Sequence, residues 1–224
     1  MHTIHSFSGF HKVISKFDCR KYIFRGVSNK DHKLIPKIGR KVNHVYADFY
    51  TYESTLLTQF KKMAEPFLQS IPKNEWEWLA IAQHHGLPTR LLDWTKNPMV
   101  AAYFAVNKDS NQDCVIYALD STRLDSNIDL NFEPYIYDGS IDVKVFEPNH
   151  ITSRIIVQNG IFTIHNAPLN PIEDDPIIGI EKIIIKSSAR KEIKKSLDMY
   201  GINKATLFPG LDGIAEYLEW FTTV

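Results

Sequence analysis

The chain has 224 residues, and 44% hydrophobic with 12% aromatic residues is the composition of a folded globular protein. Lysine and arginine number 26 and are balanced by 26 acidic residues, so the sequence gives no general attraction to nucleic acid or to a membrane surface. Two cysteines, Cys19 and Cys114, are too few for a disulfide framework or a multi-cysteine metal site. We expect one domain over residues 1–224 and, without a signal-like start or a membrane-length apolar run, a cytoplasmic location.

The first part of the chain predicts a short helix and then a strand. Apolar residues recur at helical spacing within Ser8–Phe17, and Tyr22–Val27 is rich in residues that favour strands. Alternation along the strand gives Arg25 apolar neighbours, and a guanidinium group needs an anion there because an unpaired buried charge is costly. Two partners stay open, an internal carboxylate such as Asp93 or a ligand phosphate. Gly26 lets another backbone or a ligand approach closely.

A loop and then the longest helix follow the strand. Arg40 lies in the loop and is either an exposed arginine or a second cation near Arg25. The helix is predicted over Ala47–Ile71, with a break at Pro66 and a stop at Pro72. Its apolar residues share one face, which is expected to pack in the core. They are Phe49, Tyr52, Leu56, Phe60, Met63 and Phe67.

The segment Gln83–Thr95 holds the highest density of chemically special residues and is the predicted site. A capping box that begins at Asn74 starts a helix ahead of it, and Gly86 is expected to end that helix in the left-handed conformation. His84 and His85 then lie at the helix C-terminus. The negative end of the helix dipole favours a protonated imidazole at this position.

An extended stretch is expected after Pro88, and alternation makes Asp93 face inward or into a cleft. Asn97 and Pro98 then start a second, strongly apolar helix that runs to Val106. The strand, the turn and the two helices lie within about thirty residues, so side chains from these elements should lie close together. The residues that we expect to converge in one cleft are Arg25, Gln83, His85, Arg90 and Asp93.

The second half of the chain predicts short strands around a long acidic loop. Cys114–Leu119 is expected to be a buried strand, and Asp120–Asp142 is a loop with six acidic residues that is either a functional lid or locally disordered. Gln158-Asn159-Gly160 contains Asn-Gly, the strongest short signal of a β-hairpin. The short strands expected in this region are Val143–Phe146, Arg154–Val157 and Ile161–His165.

A strand over Ile177–Lys186 and two helices complete the predicted elements. Ser187 or Ser188 is expected to cap a helix that ends at Gly201, and Thr206–Trp220 forms a last turn and helix. One side of the first of these helices is basic, and a solvated surface is the favoured interpretation, with phosphate binding as the alternative. The basic residues are Arg190, Lys191, Lys194 and Lys195.

Helices and strands without regular βα alternation indicate an α+β fold rather than a doubly wound sheet. No metal site is predicted, because the adjacent His84 and His85 cannot point the same way from a helix and the other histidines lack ligand spacing. The sequence also has no Gly-rich phosphate loop, no nucleophile elbow and no His-Glu-x-x-His helix.

Five segments in a fixed order resemble the FRG domain family, which is named after a Phe-Arg-Gly tripeptide, here Phe24-Arg25-Gly26. The resemblance runs from about residue 20 to the C-terminus, and its most specific part is Gln83–Thr95. It implies a bacterial or phage protein in a toxin or phage-defence context and does not by itself fix an activity. The segments are Tyr22–Gly26, Leu34–Pro36 with Arg40, Gln83–Trp94, Arg154 with Gln158–Phe162, and Thr206–Pro209.

A looser similarity is to ADP-ribosyltransferases, which hold NAD with an arginine or histidine on an early strand. Arg25 resembles that feature, and Asp93-Trp94-Thr95 before the helix segment Ala101–Ala105 resembles a second feature, a Ser or Thr ahead of a helix rich in Ala and Phe. A third feature, a catalytic glutamate on a later strand, has no match. Arg154 stands near that position, and the nearest glutamate is Glu147.

This similarity implies an ADP-ribosyltransferase-like, split mixed sheet flanked by helices, with NAD or a related nucleotide as ligand and no metal. The reaction it implies is cleavage of the nicotinamide glycosidic bond, by transfer to a protein acceptor or by hydrolysis. The implied catalytic residues are Asp93, His85 and Gln158. The implied cofactor-binding residues are Arg25, Gly26, Gln83, Arg90, Trp94, Thr95 and Tyr103.

Two other functions stay open. One is a non-enzymatic sensor or interaction module in phage defence, in which Arg25 and Asp93 form a buried structural pair. The other is an effector that acts on nucleic acid through the basic helix, which the balanced net charge disfavours. The expected partners are a small nucleotide and either a protein acceptor or a cognate antitoxin, without nucleic acid or membrane.

Overall fold

The computed structural model describes residues 1–40, 48–68, 70–131, 134, 143–149 and 152–223. The strands in these ranges are β1 (His2–Ile4), β2 (Tyr22–Val27), β3 (Leu91–Thr95), β4 (Cys114–Asp120), β5 (Val143–Phe146), β6 (Gly160–His165) and β7 (Glu181–Ile185). The α-helices are α1 (Phe7–Ile14), α2 (Phe49–Ala64), α3 (Glu75–His84), α4 (Pro98–Val106), α5 (Ser153–Val157), α6 (Arg190–Met199), α7 (Lys204–Leu207) and α8 (Leu211–Phe221). None of these helices is long and apolar enough to cross a membrane.

The strands form one seven-stranded sheet in the order β1-β7-β4-β2-β3-β6-β5. β1 is parallel to β7 and the other neighbours are antiparallel, so the predicted mixed sheet flanked by helices is confirmed. β2 and β4 are opposed along the whole of β2. β2 and β3 share a single opposed pair, Phe24 and Thr95, so the sheet divides into two halves at this junction.

The two halves of the sheet carry separate helical cores. Helices α1, α4 and α6 pack on one half around Phe24, and helices α2 and α3 pack on the other half around Leu91. The next residue along β3, Leu92, joins a different core together with Trp94 and Ile23, as alternation along a strand requires. The junction of β2 and β3 therefore lies between the two helical cores, with α3 and α4 on either side.

The predicted elements next to this junction are confirmed. β2 spans the predicted residues, the Asn74 side chain caps α3, and Asn97 caps α4. Gly86 follows α3 with φ of +86°, the left-handed conformation that closes a helix end. One detail of the capping box differs, because Glu77 accepts a hydrogen bond from the main-chain N–H of Lys73 rather than from that of the cap residue.

Helix α2 is shorter than predicted, and its apolar stripe is not uniformly buried. A 3-10 turn begins at Glu65, next to the expected break at Pro66. Met63 is 72% exposed and Phe67 is 87% exposed, so the prediction that the whole stripe packs in the core is wrong at its C-terminal end. The helix buries a charged residue, Glu53, which the stripe did not include.

The segment predicted as the strand Arg154–Val157 is helix α5. The Thr152 hydroxyl caps it by accepting from the main-chain N–H of Ile155. Asn159 follows with φ of +48°, and β6 begins at Gly160. The predicted hairpin is therefore wrong, because the Asn-Gly pair here ends a helix and starts a strand. A run this short does not let periodicity separate a helix from a strand.

The basic side of α6 is partly built into the fold. Arg190 is 4% exposed, and its guanidinium donates to the main-chain carbonyl oxygens of Ser28 at 2.9 Å and Gln112 at 3.1 Å. Lys194 donates to another main-chain carbonyl at 3.1 Å. The interpretation as a solvated face is wrong for these two residues. The exposed members are Lys191 and Lys195.

Three further predictions concern the bounds or the cap of a segment. The acidic loop Asp120–Asp142 is described in part: a 3-10 turn over Ser121–Arg123 follows β4, while residues 132–133 and 135–142 lie outside the described residues. β7 is shorter than the predicted Ile177–Lys186. No serine side chain caps α6, because a 3-10 turn leads into it.

Candidate functional site

A cavity of about 320 Å³, the central pocket, opens at the junction of β2 and β3. Its wall is built from these two strands, from α3, α4 and α5, and from the loop after β2. The pocket forms here because β2 and β3 separate beyond their single opposed pair. Side chains, rather than paired backbone, surround the gap between the two strands. The charged side chains of the wall, with one histidine, are Arg25, Lys37, Arg40, His84, Asp93 and Arg154.

Arg25 bridges the gap between the two strands. Its Nη1 donates to the main-chain carbonyl oxygen of Asp93 at 2.5 Å and lies 3.3 Å from Oδ2 of the same residue. The Arg25 side chain is 19% exposed, whereas the Asp93 side chain is 53% exposed and faces the cleft. The internal carboxylate is therefore one partner of Arg25. Its Nε is buried without a hydrogen-bond partner among the described residues, which leaves a donor for a ligand.

A chain of hydrogen bonds fixes the orientation of Asp93. The hydroxyl of the buried Thr89 donates to Oε1 of Gln83 at 2.6 Å, and Nε2 of Gln83 donates to Oδ2 of Asp93 at 3.1 Å. The Thr89 oxygen in turn accepts from the main-chain N–H of Leu91 at 3.1 Å. Both side-chain donors reach Oδ2, so Oδ1 keeps its acceptor capacity for a ligand.

The central pocket is electropositive. Its described wall carries four basic side chains, Arg25, Lys37, Arg40 and Arg154, against a single carboxylate, that of Asp93. Arg40 is exposed, and its side chain makes no hydrogen bond or ion pair with the described residues. Desolvation of the part of its side chain that faces the pocket, followed by the charge of Arg25, lowers the pKa of Arg40, and burial lowers the pKa of Arg154. Positive groups held together in this way favour a bound anion.

Arg154 and His84 form one side of the pocket. The Arg154 guanidinium lies over the ring of Phe208, with 4.3 Å from Cζ to the ring centroid, and Nη1 donates to the main-chain carbonyl oxygen of His84 at 3.4 Å. The Arg154 Nε is buried without a partner among the described residues. Burial, followed by the charge of Arg154, lowers the pKa of His84 to about 4. This imidazole is neutral at pH 7, against the expectation from the helix dipole.

Arg90 does not line the central pocket, so its predicted place in the cleft is wrong. Its side chain is 3% exposed, and its Nε lies 2.5 Å from Oε2 of the fully buried Glu53. The guanidinium also lies over the ring of Tyr50, with 4.3 Å to the centroid, and donates to the main-chain carbonyl oxygen of Pro134. Arg90 thus ties β3 to α2 in the interior.

Tyr103 and His85 also lie outside the central pocket. Tyr103 is 2% exposed and borders a separate cavity of about 340 Å³ between α4, α6 and α8, and burial raises the pKa of its hydroxyl. Its neighbour Phe104 lines the central pocket in its place. His85 is exposed, and His84 occupies the pocket wall, because consecutive residues of a helix point in different directions.

Four other predicted residues border the pocket, but their contacts are made within the protein. Trp94 is 3% exposed and its indole N–H donates to the hydroxyl of Thr163 at 2.9 Å, so its ring is not free to stack on a ligand. The Thr95 hydroxyl donates to the carbonyl oxygen of Gln158 at 2.6 Å, and Gln158 Nε2 donates to a carbonyl of α7 at 2.8 Å. Gly26 is packed against the backbone of α4.

Among the charged side chains of the wall, Lys37 and Arg154 were not assigned to a site from the sequence, and His84 fell within the predicted segment Gln83–Thr95 without a role of its own. For Arg154 a signal was present, because Thr152 is a favourable helix cap and Asn159 is suited to the left-handed residue after a helix. The glutamate of ADP-ribosyltransferases has no counterpart in the described wall, since Glu147 pairs with Lys96 away from it. No metal-holding group of three or more His, Cys, Asp or Glu residues occurs among the described residues.

The stability of the protein is expected to fall between about pH 6.5 and pH 4. Burial lowers the pKa of His165 to about 3 and that of His84 to about 4. Both values lie below the value of about 6.5 for an unfolded histidine, so below that pH the unfolded chain binds more protons and the free energy of unfolding decreases. For His165 the decrease is about 1.4 kcal/mol per pH unit.

Thermal denaturation across this pH range measures the effect as a falling Tm. His165→Gln keeps an acceptor for the Thr163 hydroxyl, which lies 2.9 Å from Nε2 of His165, and should make the decrease shallower. A wild-type Tm that stays level from pH 6.5 to pH 4.5 contradicts the prediction.

Residues 20–114 of the chain match the family model described as the FRG domain. No match was found among curated proteins or among solved structures. The similarity to ADP-ribosyltransferases therefore finds no support in these comparisons. The matched range contains Arg25, Gln83 and Asp93, which meet in the central pocket, and it ends before Arg154. The resemblance seen in the sequence is confirmed over this range: residues 20–114 of the chain match the FRG domain.

Proposed function

We propose that the protein binds a nucleotide in the central pocket, with NAD as the candidate ligand. One observation carries the proposal: four basic side chains and one carboxylate line a single cavity where the sheet divides. The guanidinium groups of Arg25 and Arg154 each have a buried Nε without a partner among the described residues, and the Arg40 side chain makes no polar contact with these residues. A phosphate group supplies acceptors for these donors and offsets the repulsion between them.

The apolar part of the wall suits a ring of the same ligand. Phe104, Ile155 and Phe162 line the cavity together with the basic side chains. Ligand sites commonly combine an apolar wall with a few polar groups that fix orientation. Phosphates on the guanidinium groups and a base or nicotinamide ring against Phe104 fit this division. Asp93 then accepts a hydrogen bond from a ribose hydroxyl.

The reaction proposed for NAD is cleavage of the nicotinamide glycosidic bond, by ADP-ribosyl transfer or by hydrolysis. Such a reaction develops positive charge on the ribose, and a fixed carboxylate stabilises that charge. Asp93 is the carboxylate of the described wall, and Arg25 and Gln83 hold it in place. An ADP-ribosyltransferase-like fold and an effector role in a toxin or phage-defence setting belong to the same proposal and rest on the resemblances in the sequence.

Arg40→Gln tests binding with little effect on the fold. Because the Arg40 side chain is exposed and makes no polar contact with the described residues, Tm should be unchanged. NAD binding should weaken about tenfold through loss of a charged hydrogen bond. Titration calorimetry with NAD, ADP-ribose and AMP measures the affinities. Arg20→Gln is the matched control, because it removes the same charge at a side chain that is 90% exposed and lies outside the pocket.

The control variant should bind as the wild type does. An equal loss in both variants means a general charge effect and counts against the pocket, and a wild type that binds none of the three nucleotides refutes the proposal. Release of nicotinamide from NAD is a second readout. Binding with release establishes an enzyme, and binding without release establishes a nucleotide-binding module.

One contact favours a second function, that of a non-enzymatic sensor or interaction module. The hydrogen bond from Arg25 to the main-chain carbonyl oxygen of Asp93 joins the two halves of the sheet. If this joining is the whole role of Arg25, the wild type binds no nucleotide, and Arg40→Gln changes nothing. The titration described above therefore separates the two functions.

A further inference from the structure

A second cavity adjoins the central pocket beyond the C-terminal end of α3. This cavity, the outer groove, has a volume of about 530 Å³. His84 and Arg154 line both cavities, so these two side chains form the partition between them. Phe104 of the central pocket and Phe208 of the outer groove are in edge contact, with ring centroids 6.0 Å apart. The two cavities are therefore adjoining parts of one surface.

The two adjacent histidines of the Gln83–Thr95 segment are divided between the cavities. His84 borders both of them, and His85 borders the outer groove alone. Their rings are 5.1 Å apart and nearly perpendicular. Because consecutive side chains on a helix point in different directions, the end of α3 places one histidine beside the central pocket and the other beside the outer groove only. This placement gives His85, which the central pocket does not use, a position beside a cavity.

The outer groove has a mixed lining, in which aromatic and apolar side chains stand beside polar ones. Phe67 at its edge is 87% exposed, and Leu68 and Pro209 line the same cavity. Phe208 carries the guanidinium of Arg154 on its ring. Among the described lining residues the groove has one carboxylate, that of Asp212. Exposed aromatic rings beside a cavity favour a flat partner that can stack on them.

We propose that the central pocket and the outer groove together bind one ligand of the dinucleotide class, with its phosphates at Arg154 and one ring system in each cavity. This inference rests on the proposed nucleotide function. A volume of about 320 Å³ is at the lower end of the range of about 300–1,000 Å³ for small-molecule pockets, which suits half of a dinucleotide. Arg154 borders both cavities, and its forked donors match a pyrophosphate between them.

Titration calorimetry with NAD, AMP and nicotinamide mononucleotide tests the inference. The wild type should bind NAD at least tenfold more tightly than either mononucleotide. Phe67→Ala should weaken NAD binding about tenfold through loss of ring stacking, and it should leave the mononucleotide that fills the central pocket unaffected. His85→Ala, at a second exposed position of the groove, should act in the same direction. Met63→Ala is the matched control, because Met63 is 72% exposed and lies outside the groove.

The outcomes separate this inference from the proposed function. If NAD and one mononucleotide bind equally well and neither groove variant changes NAD binding, the outer groove plays no part, while nucleotide binding in the central pocket stands. If Met63→Ala weakens NAD binding as much as Phe67→Ala does, the effect is not specific to the groove and the inference is overturned. If the wild type binds none of the three ligands, the proposed function and this inference fail together.

Discussion

Gly26→Ala is expected to abolish folding, because the site of the new methyl group is already occupied by backbone. A Cβ atom on Gly26 would lie 1.8 Å from the carbonyl oxygen of Ala101 and 2.7 Å from the main-chain nitrogen of Ala105, both in α4. A flexible side chain can rotate away from such an overlap, but the backbone of a buried helix cannot. Overpacking in a core usually costs about 1–3 kcal/mol, and this overlap should exceed that range.

Such a cost is a large part of the roughly 5–15 kcal/mol that stabilises an ordinary domain. Gly9→Ala is the matched control, because a Cβ atom there meets its nearest neighbour, Oγ of Ser6, at 3.4 Å. Gly9 lies within α1, so alanine should raise stability by about 0.4–1 kcal/mol. Soluble yield and Tm of the two variants measure the contrast. A Gly26→Ala protein with wild-type Tm would show that α4 moves away from β2 at little cost.

This result would give each residue of the Phe-Arg-Gly tripeptide a separate physical role. Phe24 is 1% exposed and fills the core beneath α4, Arg25 turns into the gap between the strands, and Gly26 lets α4 approach β2. Gly26 was predicted to admit either a backbone or a ligand, and it is the backbone that approaches. The tripeptide thus places the Arg25 guanidinium where the sheet divides, and its glycine lets helix α4 pack directly against β2.

Local rules predicted most of the elements around the site. β2, the end of α3 at Gly86 and the start of α4 at Asn97 follow from strand alternation, from the left-handed glycine and from side-chain capping. Alternation also indicated that Arg25 needs an anion and that Asp93 faces inward or into a cleft. The Asp93 side chain faces the cleft, and the two residues meet at 3.3 Å. These inferences depend on residues that are close in sequence or on the alternation of side chains along a strand. Both can be read from a single sequence.

The remaining parts of the site depend on packing between distant segments. Arg154 belongs to a helix of one turn, and its short apolar run was mistaken for a strand because periodicity is ambiguous at that length. Lys37 reaches the wall from a loop whose path no local pattern defines. Arg90 was assigned to the ligand because its partner, Glu53, is 37 residues away and carries no local sign of burial.

Removal of either partner of the Arg90–Glu53 pair is expected to cost about 3–5 kcal/mol. The Arg90 side chain is 3% exposed and that of Glu53 is 0% exposed, so each charge would be left in the interior without its main counter-ion. Glu53 also accepts the main-chain N–H of Arg90 at 2.5 Å. Glu53→Gln keeps an acceptor for that N–H and removes the charge, whereas Arg90→Met leaves a buried carboxylate.

The cost of Arg90→Met should depend on pH in a defined direction. Burial raises the pKa of Glu53, and Arg90 opposes this effect. Without the guanidinium, the pKa of Glu53 in the folded protein exceeds its value in the unfolded chain. The folded protein is therefore most stable at low pH, where this carboxyl is protonated, and it loses stability as the pH rises from the unfolded pKa to the folded pKa. Urea denaturation should therefore show a larger difference from wild type at pH 7 than at pH 5. An equal difference at both pH values would contradict a buried, uncompensated carboxylate.

The double change Arg90→Met with Glu53→Leu should recover most of the lost stability, because replacing a buried ion pair by apolar residues of similar volume is often neutral or stabilising. Recovery should be incomplete, since Arg90 also contacts Tyr50 and the carbonyl oxygen of Pro134. Because Arg90 lies outside the central pocket, the folded double variant should bind NAD with the affinity of the wild type. A double variant that regains its Tm and loses NAD binding would return Arg90 to the ligand site, as the sequence had first indicated.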